Sequence, residues 1–281
     1  MLRILLIGRS GQLGWELQRC LAPLGEVVTY DYPEIDLAKP ASLPALMRGV
    51  NPQVIVNAAA YTNVDKAQSE AELARQINAI SPGVLAEEAR RLGAAFIHYS
   101  TDYVFDGCKG APYVESDAPH PLNVYGQTKL EGEQAVQAAG GAYLILRTSW
   151  VYSLRQGGFV TKVLQWAREQ DTLRIVDDQI SSPTWARMLA EATALIIAQG
   201  QNDPVGYLTE KAGLYHLAGS GACSRYEWAQ AILELDPKKS EQKVQQLLPA
   251  KSSAFPTPAE RPMISVLECG KFEQFFGLRM P

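Results

Sequence analysis

The chain has 281 residues, 47% apolar and 20% charged, with a formal net charge of −4. That length can bury one large core, or a large core plus a smaller lobe, and the acidic balance excludes a basic nucleic-acid footprint. The first apolar run, Leu2 and Ile4 to Ile7, is too short for a membrane span or a signal peptide. Cys20, Cys108, Cys223 and Cys269 form no CxxC and no paired spacing, and His98, His120 and His216 no metal-ligand spacing. The expectation is a cytoplasmic protein with reduced thiols, no metal site, no nucleic-acid partner and no membrane partner.

In chain order, Ile4 to Ile7 reads as a buried strand that stops at Gly8. Leu13, Leu17, Leu21 and Leu24 follow at helical spacing, and Val27 to Tyr30 is a second strand. Leu43, Leu46 and Val50 predict a short helix, and Val54 to Val56 a third strand. Helical stretches around 69–79 and 83–92 lead to a strand at Ala95 to Tyr99. A helix near 124–138 precedes a strand at Leu144 to Leu146. Short apolar strands alternating with helices predict a parallel sheet covered on both faces, a Rossmann-type doubly wound α/β domain over 1–150. Beyond Trp150 the rhythm loosens: a helix near 158–169, a strand at Arg174 to Val176 and a helix near 185–199. Residues 200–213 read as a polar loop, and Ser224 with Glu227 as a capping box opening a helix to about Leu235. A proline-rich stretch, Ala254 to Pro262, leads to the end. Residues 151–281 are expected to form mainly a substrate lobe, with some elements returning to the sheet.

Gly8-Arg9-Ser10-Gly11-Gln12-Leu13-Gly14 joins the first strand to the first helix. Such a turn needs glycine because it is too tight for a Cβ and because the backbone must approach a pyrophosphate closely. The anion then sits at the positive end of the helix, against free N–H groups. Asp31, at the end of the second strand, is placed to accept from the adenosine ribose hydroxyls, which favours NAD. Arg9 could pair with a 2′-phosphate, which would admit NADP, so use of both NADH and NADPH is expected.

Tyr125 and Lys129 lie four apart in a helical stretch and share one face. Ser100-Thr101-Asp102 closes the strand before them, at the carboxyl edge where such sheets bind ligands. Asn57-Ala58-Ala59-Ala60 ends the neighbouring strand with small residues against which a nicotinamide could lie. Reduction of a carbonyl leaves an oxygen that needs a proton, and a free tyrosine, with a pKa of about 10, is a poor acid near neutrality. An ammonium about 4 Å away at an effective dielectric near 20 contributes about 4 kcal/mol, or about three pKa units. Lys129 is therefore expected to tune Tyr125 and to bond the nicotinamide ribose, while Thr101 holds the substrate oxygen.

The segments GRSGQLGWELQ, VIVNAAAYTNVDKA, HYSTDYVFDG, PLNVYGQTKLEGE, RTSWVY, DQISSPT and ERPMISVL together resemble the extended short-chain dehydrogenase/reductase superfamily. Within it they are most similar to the dTDP-4-dehydrorhamnose reductase family, over nearly the whole chain. The resemblance implies reduction of the 4-keto group of a dTDP-sugar, dTDP-4-dehydro-L-rhamnose, to give dTDP-L-rhamnose. It implies cofactor contacts from Gly11, Gln12, Leu13, Asp31, Asp36, Leu37, Ala60, Tyr61, Thr62, Tyr99, Tyr125 and Lys129. It implies that Thr101, Asp102 and Trp150 touch the sugar nucleotide. The family often carries Asn where Ile264 stands and Gly where Ser181 stands, and a glycine required at positive φ would leave Ser181 strained. A Mg²⁺-bridged dimer in some relatives uses glutamates. One falls on Glu16, a second on Arg187, and a third in a helix beyond Pro281. No metal is therefore expected here, and the chain should be a monomer or weak homodimer. Two other readings are a nucleotide-sugar 4,6-dehydratase or epimerase and a dinucleotide-binding regulatory subunit. Against the dehydratase, Asp102 is followed by Tyr103, so the Asp-Glu pair of an elimination is missing.

Overall fold

A computed structural model describes residues 1–155 and 157–281 of the chain. The first strand, β1 (Leu2–Ile7), leads through the glycine turn into α1 (Gln12–Leu21), and β2 (Gly25–Tyr30) returns beside it. Next come α2 (Leu43–Val50), β3 (Val54–Asn57), and the short helices α3 (Val64–Ala67) and α4 (Ala71–Arg75). A π-helical turn, Gln76–Ile80, joins α4 to α5 (Ser81–Leu92), so the stretch read as one helix at 69–79 changes pitch midway. Then follow β4 (Ala95–Thr101), α6 (Val124–Ala139) and β5 (Tyr143–Thr148).

After β5 come β6 (Val151–Tyr152), α7 (Phe159–Glu169), β7 (Thr172–Val176), β8 (Ile180–Ser181) and β9 (Thr184–Trp185). They are followed by α8 (Ala186–Gln199), α9 (Pro204–Glu210), β10 (Gly213–His216), β11 (Cys223–Ser224), α10 (Arg225–Glu234), β12 (Gln246–Ala250) and α11 (Gly270–Phe276). Beyond residue 200, two helices differ from the sequence reading. Residues 200–213, expected as loop, hold α9, opened by Asp203, whose side chain accepts from the Gly206 N–H at 2.9 Å, with Pro204 at its first position. The chain also closes with α11, whose Phe272 and Phe276 are buried.

The doubly wound sheet expected from the sequence is what the chain forms. Six strands run in the order β10-β5-β4-β3-β1-β2, all paired in parallel. Alternate residues of β1 point to opposite faces. Ile4 and Leu6 pack with Leu13 and Leu17 of α1, Leu189 and Ile196 of α8 and Phe272 of α11. Leu5 and Ile7 pack with Met47 of α2, Leu85 of α5 and Val136 of α6. Thus α8, β10 and α11 belong to the sheet and its covering helices although they lie beyond residue 150. A separate cluster gathers Val163 of α7, Leu173 and Ile175 of β7, and Trp228 and Ile232 of α10. Strand order reverses between β1, flanked by β2, and β3, so the loops after these strands diverge and leave a crevice at the carboxyl edge. Among the described residues, no helix is long and apolar enough to cross a membrane.

Candidate active site

The crevice is a cleft of about 440 Å³. One end is backbone. Gly8 has φ +92°, and a Cβ there would lie 2.7 Å from the Ala59 nitrogen at the end of β3. A Cβ on Gly14 would overlap the Gly8 carbonyl oxygen, so this glycine is what lets α1 start against the strand. Gly11 is different: its Cβ would meet only the Gly8 oxygen at 3.5 Å, an ordinary contact. Packing does not require that glycine, yet Gly11 lines the cleft with Ser10, Gln12 and Leu13 at the N-terminus of α1. That is the arrangement a closely approaching anion needs.

Asp31 also lines the cleft, its carboxylate accepting from the Ser10 N–H at 2.7 Å and the Tyr32 N–H at 2.8 Å. Burial works against its ionisation, but the Ser10 and Tyr32 hydrogen bonds outweigh it and hold its pKa below the ordinary value. Arg9 does not line the cleft. Its guanidinium pairs with Glu34 at 2.7 Å and donates to the Thr29 carbonyl at 3.0 Å. Asp36 pairs with Lys39 at 3.1 Å, Leu37 is buried, and the Tyr61 hydroxyl donates to Glu70 at 2.5 Å. These four residues lie off the cleft wall, whereas Gly8, Ala60, Thr62 and Tyr99 are on it.

The other end is made of buried and half-buried side chains. Asn123 caps α6 by accepting from the Gly126 N–H at 2.8 Å and ties it to the far loop by donating to the Glu260 carbonyl at 2.6 Å. A Cβ on Gly126 would overlap the Tyr103 carbonyl oxygen, so the glycine after Tyr125 lets α6 press against the turn that follows β4. The result is that Tyr125 and Lys129 of α6 share the cleft wall with Thr101 of β4. The Tyr103 ring meets that of Tyr125 edge-on at 5.8 Å. Thr101 donates to Asp102 at 3.1 Å and accepts from the Tyr103 N–H at 3.2 Å.

The electrostatics differ from the sequence expectation. Burial pushes the Tyr125 phenol above its ordinary value, and the Thr101 hydrogen bond only partly offsets it. Lys129 is itself pulled down, to about 8, by burial, with Glu133 opposing. Its ammonium donates to the Tyr99 carbonyl at 2.6 Å and lies 3.3 Å from His98 Nε2. In this environment desolvation of both groups outweighs the tuning of one by the other.

Asp102 lines the cleft but is 2% exposed, with its carboxylate accepting from Ser265 at 2.6 Å and from Thr101 at 3.1 Å, and lying 3.3 Å from the Ser181 hydroxyl. Burial raises it to about 6, against these three hydrogen bonds. Ser181 is therefore not a strained substitute for glycine. Asn51 and Trp150 are the non-glycine residues at positive φ among the described residues, and Ser181 sits in β8 with its hydroxyl between Asp102 and the Ser265 carbonyl. Trp150 has φ +41°, stacks on Trp228 at 5.5 Å and carries the Arg225 guanidinium over its ring at 3.6 Å. Arg225 also lines a larger cavity of about 860 Å³ between β7 and the 252–263 loop, with Arg174, Arg261 and Phe255. Trp150 and Arg225 thus mark the boundary between the two spaces.

Sequence reasoning passed over Thr148 and Ser149 at the end of β5 and Val151 after it, all on the cleft wall. The signal was available: β5 neighbours β4, so its carboxyl end must face the same crevice. The Thr148 and Ser100 hydroxyls are buried and have no protein partner among the described residues. Two orphaned donors in the cleft, with the glycine cradle opposite, fit a polar dinucleotide. No group of three or more metal-ligating side chains occurs among the described residues, and Arg187 lies 4.0 Å from Glu16.

Sheet, glycine cradle and the helix that carries Tyr125 and Lys129 define a Rossmann-fold oxidoreductase that uses a nicotinamide dinucleotide. A family model described as the RmlD substrate binding domain matches residues 2–281. The dTDP-4-dehydrorhamnose reductase of Escherichia coli (strain K12) is 44% identical, over 100% of this chain and 94% of its own length. That of Burkholderia thailandensis is 42% identical, over 100% of this chain and 95% of its own. The crystal structure of dTDP-4-dehydrorhamnose reductase from Bacillus anthracis str. Ames in complex with NADP matches with a TM-score of 0.88 at 32% identity, covering 100% of this chain and 95% of that one. The chain belongs to this family.

Proposed function

We propose that the protein reduces the 4-keto group of dTDP-4-dehydro-L-rhamnose to the alcohol, giving dTDP-L-rhamnose, with NADPH or NADH as reductant. The observation that carries this reading is the meeting of Thr101, Tyr125 and Lys129 with the glycine cradle in one cleft. Residues 1–150 supply the cofactor-facing cradle, and most of 151–281 supplies the substrate side. The bound nicotinamide supplies the hydride. Gly8, Gly11, Gln12 and Leu13 would hold the dinucleotide's phosphates by backbone approach, and Asp31 would accept from its ribose. Thr101 positions the substrate oxygen beside Tyr125, and Tyr125 donates the proton to it. The phenolate left behind shares the cleft wall with Lys129, one turn along α6. Because Lys129 sits near 8 and Tyr125 above its ordinary value, proton return from ammonium to phenolate runs downhill. Trp150 and Arg225 bound the sugar site, and the larger cavity beyond them accepts the nucleotide. The enzyme acts in the cytoplasm as a monomer or weak homodimer.

The elimination reading lacks support in the site. An elimination needs an acid and a base after Thr101; Tyr103 stands where the base would be, and Asp102 is enclosed by three hydroxyls. The test is loss of NAD(P)H absorbance on adding the 4-keto sugar nucleotide. Stoichiometric oxidation with formation of the 4-hydroxy sugar is expected. No absorbance change from a folded protein that binds NADPH would overturn the reductase reading and favour a regulatory dinucleotide-binding role.

A further inference from the structure

Behind Lys129 lies a chain of buried polar groups that the reaction above does not use. Asn57 of β3, His98 of β4 and Lys129 of α6 are 1%, 1% and 2% exposed. Asn57 Nδ2 lies 3.2 Å from His98 Nδ1, and His98 Nε2 lies 3.3 Å from Lys129 Nζ. The direction of each hydrogen bond follows from one fixed donor. The Ala59 backbone N–H can only donate, and it donates to Asn57 Oδ1 at 3.2 Å. The Asn57 amide is therefore oriented with its NH₂ toward the imidazole. Nδ1 must accept, so a neutral His98 carries its proton on Nε2, facing Lys129. Burial and the lysine charge both hold His98 neutral, well below its ordinary pKa.

An ammonium has donors only. It can serve the Tyr99 carbonyl at 2.6 Å, but it meets another donor at His98. A neutral amine satisfies both, donating to Tyr99 and accepting from Nε2–H. Moving the imidazole proton to Nδ1 does not relieve the conflict, because it then faces the Asn57 NH₂. We propose that Asn57 and His98 form a hydrogen-bond relay that fixes the Nε2–H tautomer and so stabilises the neutral amine of Lys129, making the ammonium ready to release its proton during turnover. This rests on the reductase reading for its catalytic meaning, not for its geometry.

In the reaction, Tyr125 loses its proton to the substrate oxygen, Lys129 returns one to the phenolate, and the resulting amine is held by His98. Between turnovers one proton from bulk solvent, relayed by water in the cleft, restores the ammonium and is the proton the reduction consumes. The groups facing the relay are few. Phe96 stacks on the His98 ring at 6.1 Å, and Ile145 of β5 lies in register beside it. Glu133, one turn along α6, favours the ammonium, but it is bound by Arg147 of β5 at 2.7 Å. Asn78 of the π turn and Gly83 of α5 pack on α6 at Thr128 and Ala135, and neither is titratable. Tyr125 stands one turn before, with Asp102 and Tyr103 acting on it.

The test is a pH titration of Lys129 in the full chain carrying ¹³Cε-lysine, with its resonance assigned by its loss in Lys129→Met. His98→Gln, whose amide can turn its oxygen to the lysine, should raise the midpoint by about one pH unit. Asn57→Ala, at a residue whose side chain contacts His98 and the Ala59 N–H but not the lysine, should also raise it by freeing the tautomer. The alkaline limb of kcat/KM should move up with the midpoint in both. A merely structural role would lower Tm or kcat without moving either titration. An unmoved or lowered midpoint in either variant, with the fold intact by circular dichroism, overturns the relay; if one variant does not fold, the other decides. The titration needs no substrate, so a failure to reduce the sugar nucleotide would sink the function above and leave this result standing.

Discussion

At the glycine end the cleft is walled by backbone, and at the tyrosine end by side chains, of which Thr101, Asp102 and Lys129 are buried and Tyr125 is half-buried. The first end works by what is missing, a Cβ at Gly8, Gly11 and Gly14. The second works by what is buried, with Tyr125, Lys129 and Asp102 all shifted in the direction that disfavours charge. One end is set by sterics and tolerates a change of pH. The other is set by desolvation and should respond to it.

The comparison is sharpened most by Tyr125→Phe. Removing only the proton donor should cut kcat by about 10³-fold and leave NADPH affinity, read by fluorescence titration, nearly unchanged. Retained turnover would remove Tyr125 from the role of acid. Asp102→Asn tests desolvation directly. With its pKa raised to about 6 from an ordinary 3.8, the folded state holds the Asp102 proton more tightly than the unfolded chain. Its contribution to stability therefore falls as pH rises through that window, by roughly 3 kcal/mol in total. In urea denaturation the asparagine variant should gain on the parent between pH 4 and pH 7, and a constant difference would contradict the assignment.

At the glycine end, Gly14→Ala should cost about 2 kcal/mol of stability, because the new methyl overlaps the Gly8 carbonyl. Gly11→Ala should change stability by less than about 0.5 kcal/mol yet weaken NADPH binding about tenfold, since only a ligand needs that space. Equal stability losses at the two positions would erase the distinction between packing and ligand glycines. The smallest effect belongs to Glu34→Gln. It releases Arg9 from its ion pair, so the ratio of NADPH to NADH affinity should rise about threefold. No change would mean that Arg9 does not reach a 2′-phosphate even when free.

Much of the glycine end was legible because its signals are local. A strand of four apolar residues, a turn of glycines and a helix of leucines at spacing four each follow from backbone demands within about twenty residues. The pairing of Arg9 with Glu34 was not legible, since Arg9 and Asp31 both suit a contact to the ribose and Glu34 has no pattern to mark it. The helix α9 carried a weak signal, Asp203 followed by Pro204, that the surrounding polar residues and Gly206 obscured. The helix α11 is only seven residues long, too short for periodicity to announce it.

By itself the sequence determined the parallel doubly wound sheet, the position of the glycine turn and the placing of Tyr125 and Lys129 on one helical face. These depend on periods of two and of about four residues and on where a Cβ cannot go. Only the tertiary structure decided what surrounds them: Ser181 and Ser265 around Asp102, Arg225 over Trp150, and Asn57 and His98 behind Lys129. Each joins segments brought together by packing alone. The physical reason is that hydrogen-bond direction and desolvation exist only once separate elements meet, and those two quantities set the protonation of every group at the tyrosine end.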